Sequence, residues 1–386
     1  MKVSLITPMD IRYVYTGTEW HIYEYAKFLH GHRIDVNILI TDRCSDGAKL
    51  KPIKGFRRII ALYKAIPKSY VKCTELILPF KYHLFLYRGL PRNSVIYFPF
   101  SIYDYIINIL FKPKGQKYII GCHGMHLKMG HIIKGHNMLE GLLNAWMRFL
   151  LFIRRDEMEN LYCHVINKEQ AEYMKRTFGF RPENVFYVPI MINAGDYHAK
   201  GNNSKKLRVV HIGGMGKDMH IVLDVIDGLS ETGKLRMFEF YFIGERSVDA
   251  EDAYRKFDNV HFLGMVSDRH KYKMLGMADV MIVPAYETFS KTMLEGLASG
   301  LSILTSRRAA SWKDVTDIGI ELSVMSNGYA EEYTRQLIKL AELKCKGKDI
   351  NPRREMNIRK TIENFDEKVI LKKMLTLFLR VIDDES

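Results

Sequence analysis

The sequence predicts an α/β protein built from two doubly wound, parallel-sheet domains. Short apolar runs alternate with helical patterns along most of the chain, the signature of strand–helix–strand units. The alternation pauses at KGNNSKK (200–206), a polar and small stretch suited to a linker, and then restarts. The chain has 386 residues, 47% of them apolar, more than a single core usually organises.

In chain order, KVSLIT reads as a strand, residues 17–31 (GTEWHIYEYAKFLHG) as a helix ended by Gly31, and IDVNILIT as a second strand. SVIYFPF, KYIIGCHG, CHVIN and VFYVPI supply further strands, with a helix starting at Lys168. After the linker, LRVVHIGG enters a glycine turn at Gly213 and Gly214, and 217–229 is helical. FEFYFIGE and NVHFLGMV are strands, 268–276 is a helix, and ADVMIVPA is a strand buried on both faces. A helix at 290–299, the strand LSILTS and helices near 328–345 and 366–382 complete the reading. The expected domains are 1–198, joined by a crossover helix at 367–386, and 199–366. Two such domains place a ligand cleft at the carboxyl ends of their sheets.

Composition narrows the function classes. Cys44, Cys73, Cys122, Cys163 and Cys345 form no CxxC pair and no Cys/His cluster at zinc-ligand spacing, and an odd count suits no disulfide framework. A reducing, cytoplasmic setting is expected. MKVSLITPMD is too short and too interrupted for a signal peptide. The longest apolar stretch, 94–111, contains Pro99, Asp104 and Asn108 and falls short of a membrane span.

Charge is uneven. Residues 1–200 hold 29 Lys and Arg against 16 Asp and Glu, whereas 201–386 hold 29 against 28. Eight cations and no acid lie between Ala48 and Thr74. Apolar residues interleave with them in GFRRIIALYKAIPKSYV, so the segment 49–72 reads either as a solvated basic face or as an amphipathic stretch on an anionic membrane surface. Nucleic acid is not an expected partner, because no nucleic-acid-binding motif accompanies the charge.

The chemistry concentrates in VPAYETFSKTMLEGLASGLSILTS (283–306). Glu287 follows a buried strand, and Glu295 lies eight residues later in a short helix. Helical spacing puts Met293, Leu294 and Leu297 on one face and Thr292, Glu295 and Ser299 on the other. The N–H groups of Phe289, Ser290, Lys291 and Thr292 at the helix start favour an anion such as a diphosphate. Carboxylates flanking that anion suit hydroxyls instead, Glu295 a ribose and Glu287 a sugar.

This stretch resembles the E-x7-E signature of the retaining glycosyltransferases of family 4, which have the GT-B fold of two Rossmann-like domains. Both glutamates, Phe289, Ala298 and Gly300 match, while Ser290 and Ser302 stand where the signature has glycine and proline. YTGTEWHIYEYAKFLHGHRIDVNI is similar to the family's N-terminal segment, with Gly17, Glu19 and His21 in register. Gly17, at a strand-to-helix turn, lets backbone approach a phosphate. IIGCHGMH places His123 at a strand end, where the resemblance implies a histidine facing the donor sugar. VVHIGGMGKDMH resembles the segment presenting an arginine and a lysine to the diphosphate; Lys217 matches the lysine and Gly214 stands at the arginine's place. Gly244, and the loop of Gly264, Met265 and Val266 beside the nucleotide base, match the family's strand-end glycines.

The resemblance implies transfer of a sugar from a nucleotide-diphosphate donor, UDP- or GDP-linked, to a glycan or lipid-linked hydroxyl, with retention. It places catalysis on His123, Glu287 and Lys217. No D-x-D or metal-ligand cluster appears in the sequence, so metal independence is expected. A non-catalytic homologue acting as a partner subunit is the alternative.

Overall fold

The computed structural model describes residues 2–7, 17–40, 59–61, 94–98, 115–121, 145, 148–149, 151–153, 155–197, 204–213, 218–245, 247–284, 289–309, 311–326 and 328–384. The chain divides into two compact units, 1–189 with 370–386, and 190–369.

The first unit is a seven-stranded sheet in the order β3-β2-β1-β4-β5-β6-β7. Its strands are β1 (Lys2–Thr7), β2 (Asp35–Ile40), β3 (Ile59–Ala61), β4 (Ser94–Phe98), β5 (Tyr118–Gly121), β6 (Leu161–Val165) and β7 (Val185–Tyr187). All neighbours pair in parallel. The helix Gly17–Gly31 buries Ile22, Tyr25, Ala26 and Leu29, spaced to form one apolar stripe. The helix Lys168–Phe178 begins because the Asn167 side chain accepts the Gln170 N–H at 2.7 Å. It ends at Gly179, whose φ of 69° is open to glycine at little cost. Part of the basic segment read as a lipid-facing stretch, Ile59–Ala61, is the edge strand β3, paired with β2.

The second unit has a six-stranded parallel sheet in the order β10-β9-β8-β11-β12-β13. Its strands are β8 (Leu207–Ile212), β9 (Phe238–Ile243), β10 (Val260–Gly264), β11 (Val280–Val283), β12 (Ser302–Ser306) and β13 (Ser323–Met325). The helices Met219–Glu231 and Ala330–Cys345 pack on one another, burying Val222, Ile226 and Leu229 with Tyr333, Leu337 and Ala341. β11 is buried throughout, as a strand covered by helices on both faces must be. Asp279, just before it, is buried but accepts from Lys344 Nζ at 2.6 Å and from the Arg208 N–H at 2.8 Å, which ties the chain entering β11 to β8.

The helix Arg354–Phe365 stops at Asp366, whose backbone bridges to Ile192. The following helix, Glu367–Asp383, packs on the first unit: Phe378 meets the Tyr97 ring, and Lys117 Nζ donates to the Ile382 carbonyl at 3.3 Å.

Candidate functional site

In the second sheet, strand order reverses between β8 and β11, and ligands of doubly wound sheets bind outside the carboxyl ends at such a switch point. β8, which borders this switch point, and its neighbours β9 and β10 end in glycines with positive φ: Gly213 at 144°, Gly244 at 138° and Gly264 at 67°. The Gly213 N–H donates to the Ile243 carbonyl at 2.8 Å, and the Gly244 N–H to the Gly264 carbonyl at 3.0 Å. A Cβ on Gly244 would lie 2.7 Å from the Gly213 oxygen, so backbone packs on backbone where a side chain has no room. The result is a ledge of bare main chain, floored by the stacked rings of Phe242 and Phe262 (4.7 Å) and edged by Met219 and Glu245. Met265, 83% exposed, and the half-buried Val266 follow directly on this edge.

β11 leads to the helix Lys291–Ala298. Ser290 has extended backbone and its Oγ accepts the Met293 N–H at 3.3 Å, so it caps this helix. Gly296 lets the helix lie directly on the sheet: an added Cβ would sit 2.8 Å from Ile303 Cδ1 and 2.9 Å from Met281 Sδ. Of the four amides expected to face an anion, that of Ser290 is already engaged, donating to Ser311 Oγ at 3.4 Å. Phe289 is a packing residue, buried with its ring edge-on to Phe365. Lys291 and Thr292 are half-buried, and Thr292 Oγ1 lies 2.9 Å from Ser290 Oγ.

Glu295 departs from the expected open face. The helix is buried on both sides, and Glu295 is 2% exposed. Such a carboxylate needs a partner, because desolvation disfavours its charge. Its Oε1 accepts from Lys271 Nζ at 3.0 Å and from the Tyr197 hydroxyl at 3.1 Å. Lys271 comes from the helix Asp268–Met277, also meets Asp268 at 3.2 Å, and lies 4.9 Å from the Tyr272 ring centre. Tyr272 and Tyr197 pack edge to face at 4.8 Å. Burial pulls the Lys271 ammonium down, but Glu295 outweighs it and holds the group above its ordinary range. Burial, and then the Glu295 charge, pushes the Tyr197 hydroxyl far up. Both donors therefore keep their protons at neutral pH.

Gly17 begins the helix that follows β1 in the first unit. His123, Gly214, Lys217 and Glu287 lie outside the described residues. The structure places Gly213, Gly244 and the loop carrying Met265 and Val266 at the carboxyl ends of the adjacent strands β8, β9 and β10. Lys271 and Tyr197, which complete the setting of Glu295, have no counterpart in the sequence reading.

Residues 206–342 match the family model described as Glycosyl transferases group 1. No curated protein sequence matches the chain. Among solved structures, sucrose-phosphate synthase from Thermosynechococcus elongatus is similar at 12% identity over 98% of both chains, with a TM-score of 0.73. A glycosyltransferase from Rickettsia africae is similar at 12% identity over 100% of this chain and 99% of that one, with a TM-score of 0.70. HepE from Anabaena, solved in complex with UDP-glucose, is similar at 11% identity over 97% of this chain and 98% of that one, with a TM-score of 0.64. The chain thus has the two-domain α/β fold of the GT-B glycosyltransferases, and its second unit matches the Glycosyl transferases group 1 family over residues 206–342.

Proposed function

We propose that the protein is a retaining, metal-independent glycosyltransferase of hexosyl type, transferring a sugar from a UDP- or GDP-linked donor to a hydroxyl of a glycan or lipid-linked acceptor. The observation that carries this reading is the bare glycine ledge at the carboxyl ends of β8, β9 and β10, in one segment with a held carboxylate, Glu295, on the helix after β11, and that segment matches the family. The domain 199–366 takes the nucleotide, with the base by Gly244, Met265 and Val266, the diphosphate by Gly213, Gly214 and Lys217, and the ribose hydroxyls by Glu295. Lys217 and the amides of Lys291 and Thr292 stabilise charge on the departing diphosphate, the principal demand of this chemistry. Glu287 and His123 hold the sugar. The domain 1–198, with the helix 367–386, takes the acceptor, and Gly17 admits its backbone to the donor phosphates.

Turnover and thermal shift with UDP-, GDP-, ADP- and dTDP-sugars, in EDTA, test this. One nucleotide should stabilise the wild type selectively, and Glu295→Ala should weaken it by about 10-fold to 100-fold, the loss of charge-assisted hydroxyl bonds. No response to any donor, or equal response in the variant, would sink the reading. Binding without turnover would favour the non-catalytic partner subunit.

The basic, apolar-laced segment 49–72 supports a cytoplasmic enzyme that works at a membrane surface on a lipid-linked acceptor. No helix among the described residues is long and apolar enough to cross a membrane. The protein should sediment with anionic vesicles at low salt and release at high salt. Equal sedimentation with neutral vesicles would remove the membrane from the proposal.

A further inference from the structure

The pairing of Glu295 carries a further step, which rests on the donor-site reading above. The carboxylate sits on a helix with almost no solvent contact, and two groups distant in sequence converge on one of its oxygens. Neither comes from its own helix: Lys271 rises from the helix Asp268–Met277, and Tyr197 follows the end of the first unit's chain segment. Lys271 is in turn enclosed, 17% exposed, by Asp268, by the Tyr272 face and by Glu295. An ammonium so confined loses much of its water, which surface salt bridges do not require.

We propose that Lys271 and Tyr197 are positioning residues for donor binding: they keep the Glu295 carboxylate charged and fixed in one rotamer, so that it is ready to accept nucleotide ribose hydroxyls. The physical reason is the cost of the alternative. A carboxyl group buried without its cation takes up a proton at higher pH, and a protonated carboxyl offers a donor where a hydroxyl needs an acceptor. An unanchored side chain must also be ordered by the ligand at the ligand's expense. Among the described residues, the groups facing the carboxylate are Lys271 and, behind it, Asp268 on one helix, with Tyr197 and Tyr272 at the side. Of these, Lys271 is the cation, so its loss changes the charge balance most.

The test is the affinity of the full chain for UDP, GDP, ADP and dTDP by calorimetry from pH 6 to pH 8, using Lys271→Met, Lys271→Arg and Tyr197→Phe. For the nucleotide that the wild type binds, Lys271→Met should weaken binding by about 10-fold at pH 8. The wild-type-to-variant ratio should grow further as pH falls to 6, and Lys271→Arg should restore most of the affinity. Tyr197→Phe, which keeps the cation, should cost a few-fold with a smaller pH dependence than Lys271→Met. In a Glu295→Gln background Lys271→Met should have little effect on binding, whereas a merely structural lysine would act equally in both backgrounds. If the wild type binds a nucleotide and Lys271→Met binds it equally, with an unchanged pH profile, the positioning role is wrong and the donor site stands. If the wild type binds none of the four, the donor reading falls and takes this role with it. Should Lys271→Met fail to fold, Tyr197→Phe still decides: an affinity equal to the wild type's at every pH overturns the proposal.

Discussion

Gly244→Ala is expected to destabilise the second unit by about 3 kcal/mol or more, combining backbone strain with overpacking against main chain. Its φ of 138° is a region that L side chains rarely adopt, and the new methyl carbon would lie 2.7 Å from the Gly213 oxygen and 2.9 Å from the Gly213 carbonyl carbon. Neither atom can swing aside, because the Gly213 N–H is bonded to Ile243 and the two strands pair in register. For a unit of this size the loss corresponds to a fall in Tm of roughly 10 °C. Gly233→Ala is the control: its φ is also positive, at 67°, but a Cβ there meets nothing within 4 Å. It should cost only about 1 kcal/mol of backbone strain. Thermal unfolding of the two variants beside the wild type separates the contributions. Equal Tm values for both would mean that the ledge tolerates a side chain, and the close approach of β8 and β9 would lose its significance.

Legibility in the sequence followed the physics of each element. A strand buried on both faces announces itself as a continuous apolar run, which is why β11 was readable to within a few residues, while β8 and β9, partly buried, were readable from apolar runs broken only by Arg208, His211 and Glu239. The helix Gly17–Gly31 was readable from its helical pattern ended by Gly31, and another from Lys168 as the segment between two strands; its Asn167 cap was seen only in the structure. β3 was not, because three residues at a sheet edge carry no period and sit among cations. The short helices Val248–Tyr254 and Trp312–Asp317 were also missed, being too brief to show a stripe. The longer helix Arg354–Phe365 escaped for another reason: it is predominantly polar and buries only Asn357, Thr361 and Phe365 completely.

The site divides in the same way. Gly213, Gly244 and Glu295 stood out as residue types in motifs. Lys271 did not, since it lies in the polar run SDRHKYKML and meets Glu295 across 24 residues of sequence. Only the fold of β11 and its flanking helices makes them neighbours. Ser290, read as a donor of a free amide, became a cap with its own amide engaged; helix starts are often satisfied locally, by side chains no spacing rule reveals.

Acid should weaken the first unit through His164, by about 3 kcal/mol between pH 6.5 and pH 4. His164 stands on β6, fully buried, with its Nε2 2.7 Å from the Val188 carbonyl and its Nδ1 2.8 Å from the Tyr97 hydroxyl. A carbonyl can only accept, so Nε2 carries the hydrogen and the neutral ring accepts from Tyr97 through Nδ1. Charging that ring has no compensation from water, and burial pushes its pKa down to about 4 despite the opposing pull of the Val188 bond. Below pH 6.5 the unfolded chain therefore binds a proton that the folded chain refuses, so this contribution is intact at neutral pH and is lost as pH falls towards 4. His164→Gln keeps a donor for Val188 and an acceptor for Tyr97 but cannot titrate. It should be less stable than the wild type at pH 7, with the gap closing by about 3 kcal/mol at pH 4. Hydrogen exchange of the β4, β5 and β6 amides at pH 7, 6, 5 and 4 reads this for the first unit alone. A gap that stays constant across that range would show that the ring is charged at no cost, and the strands around it would have to open far more readily than their burial implies.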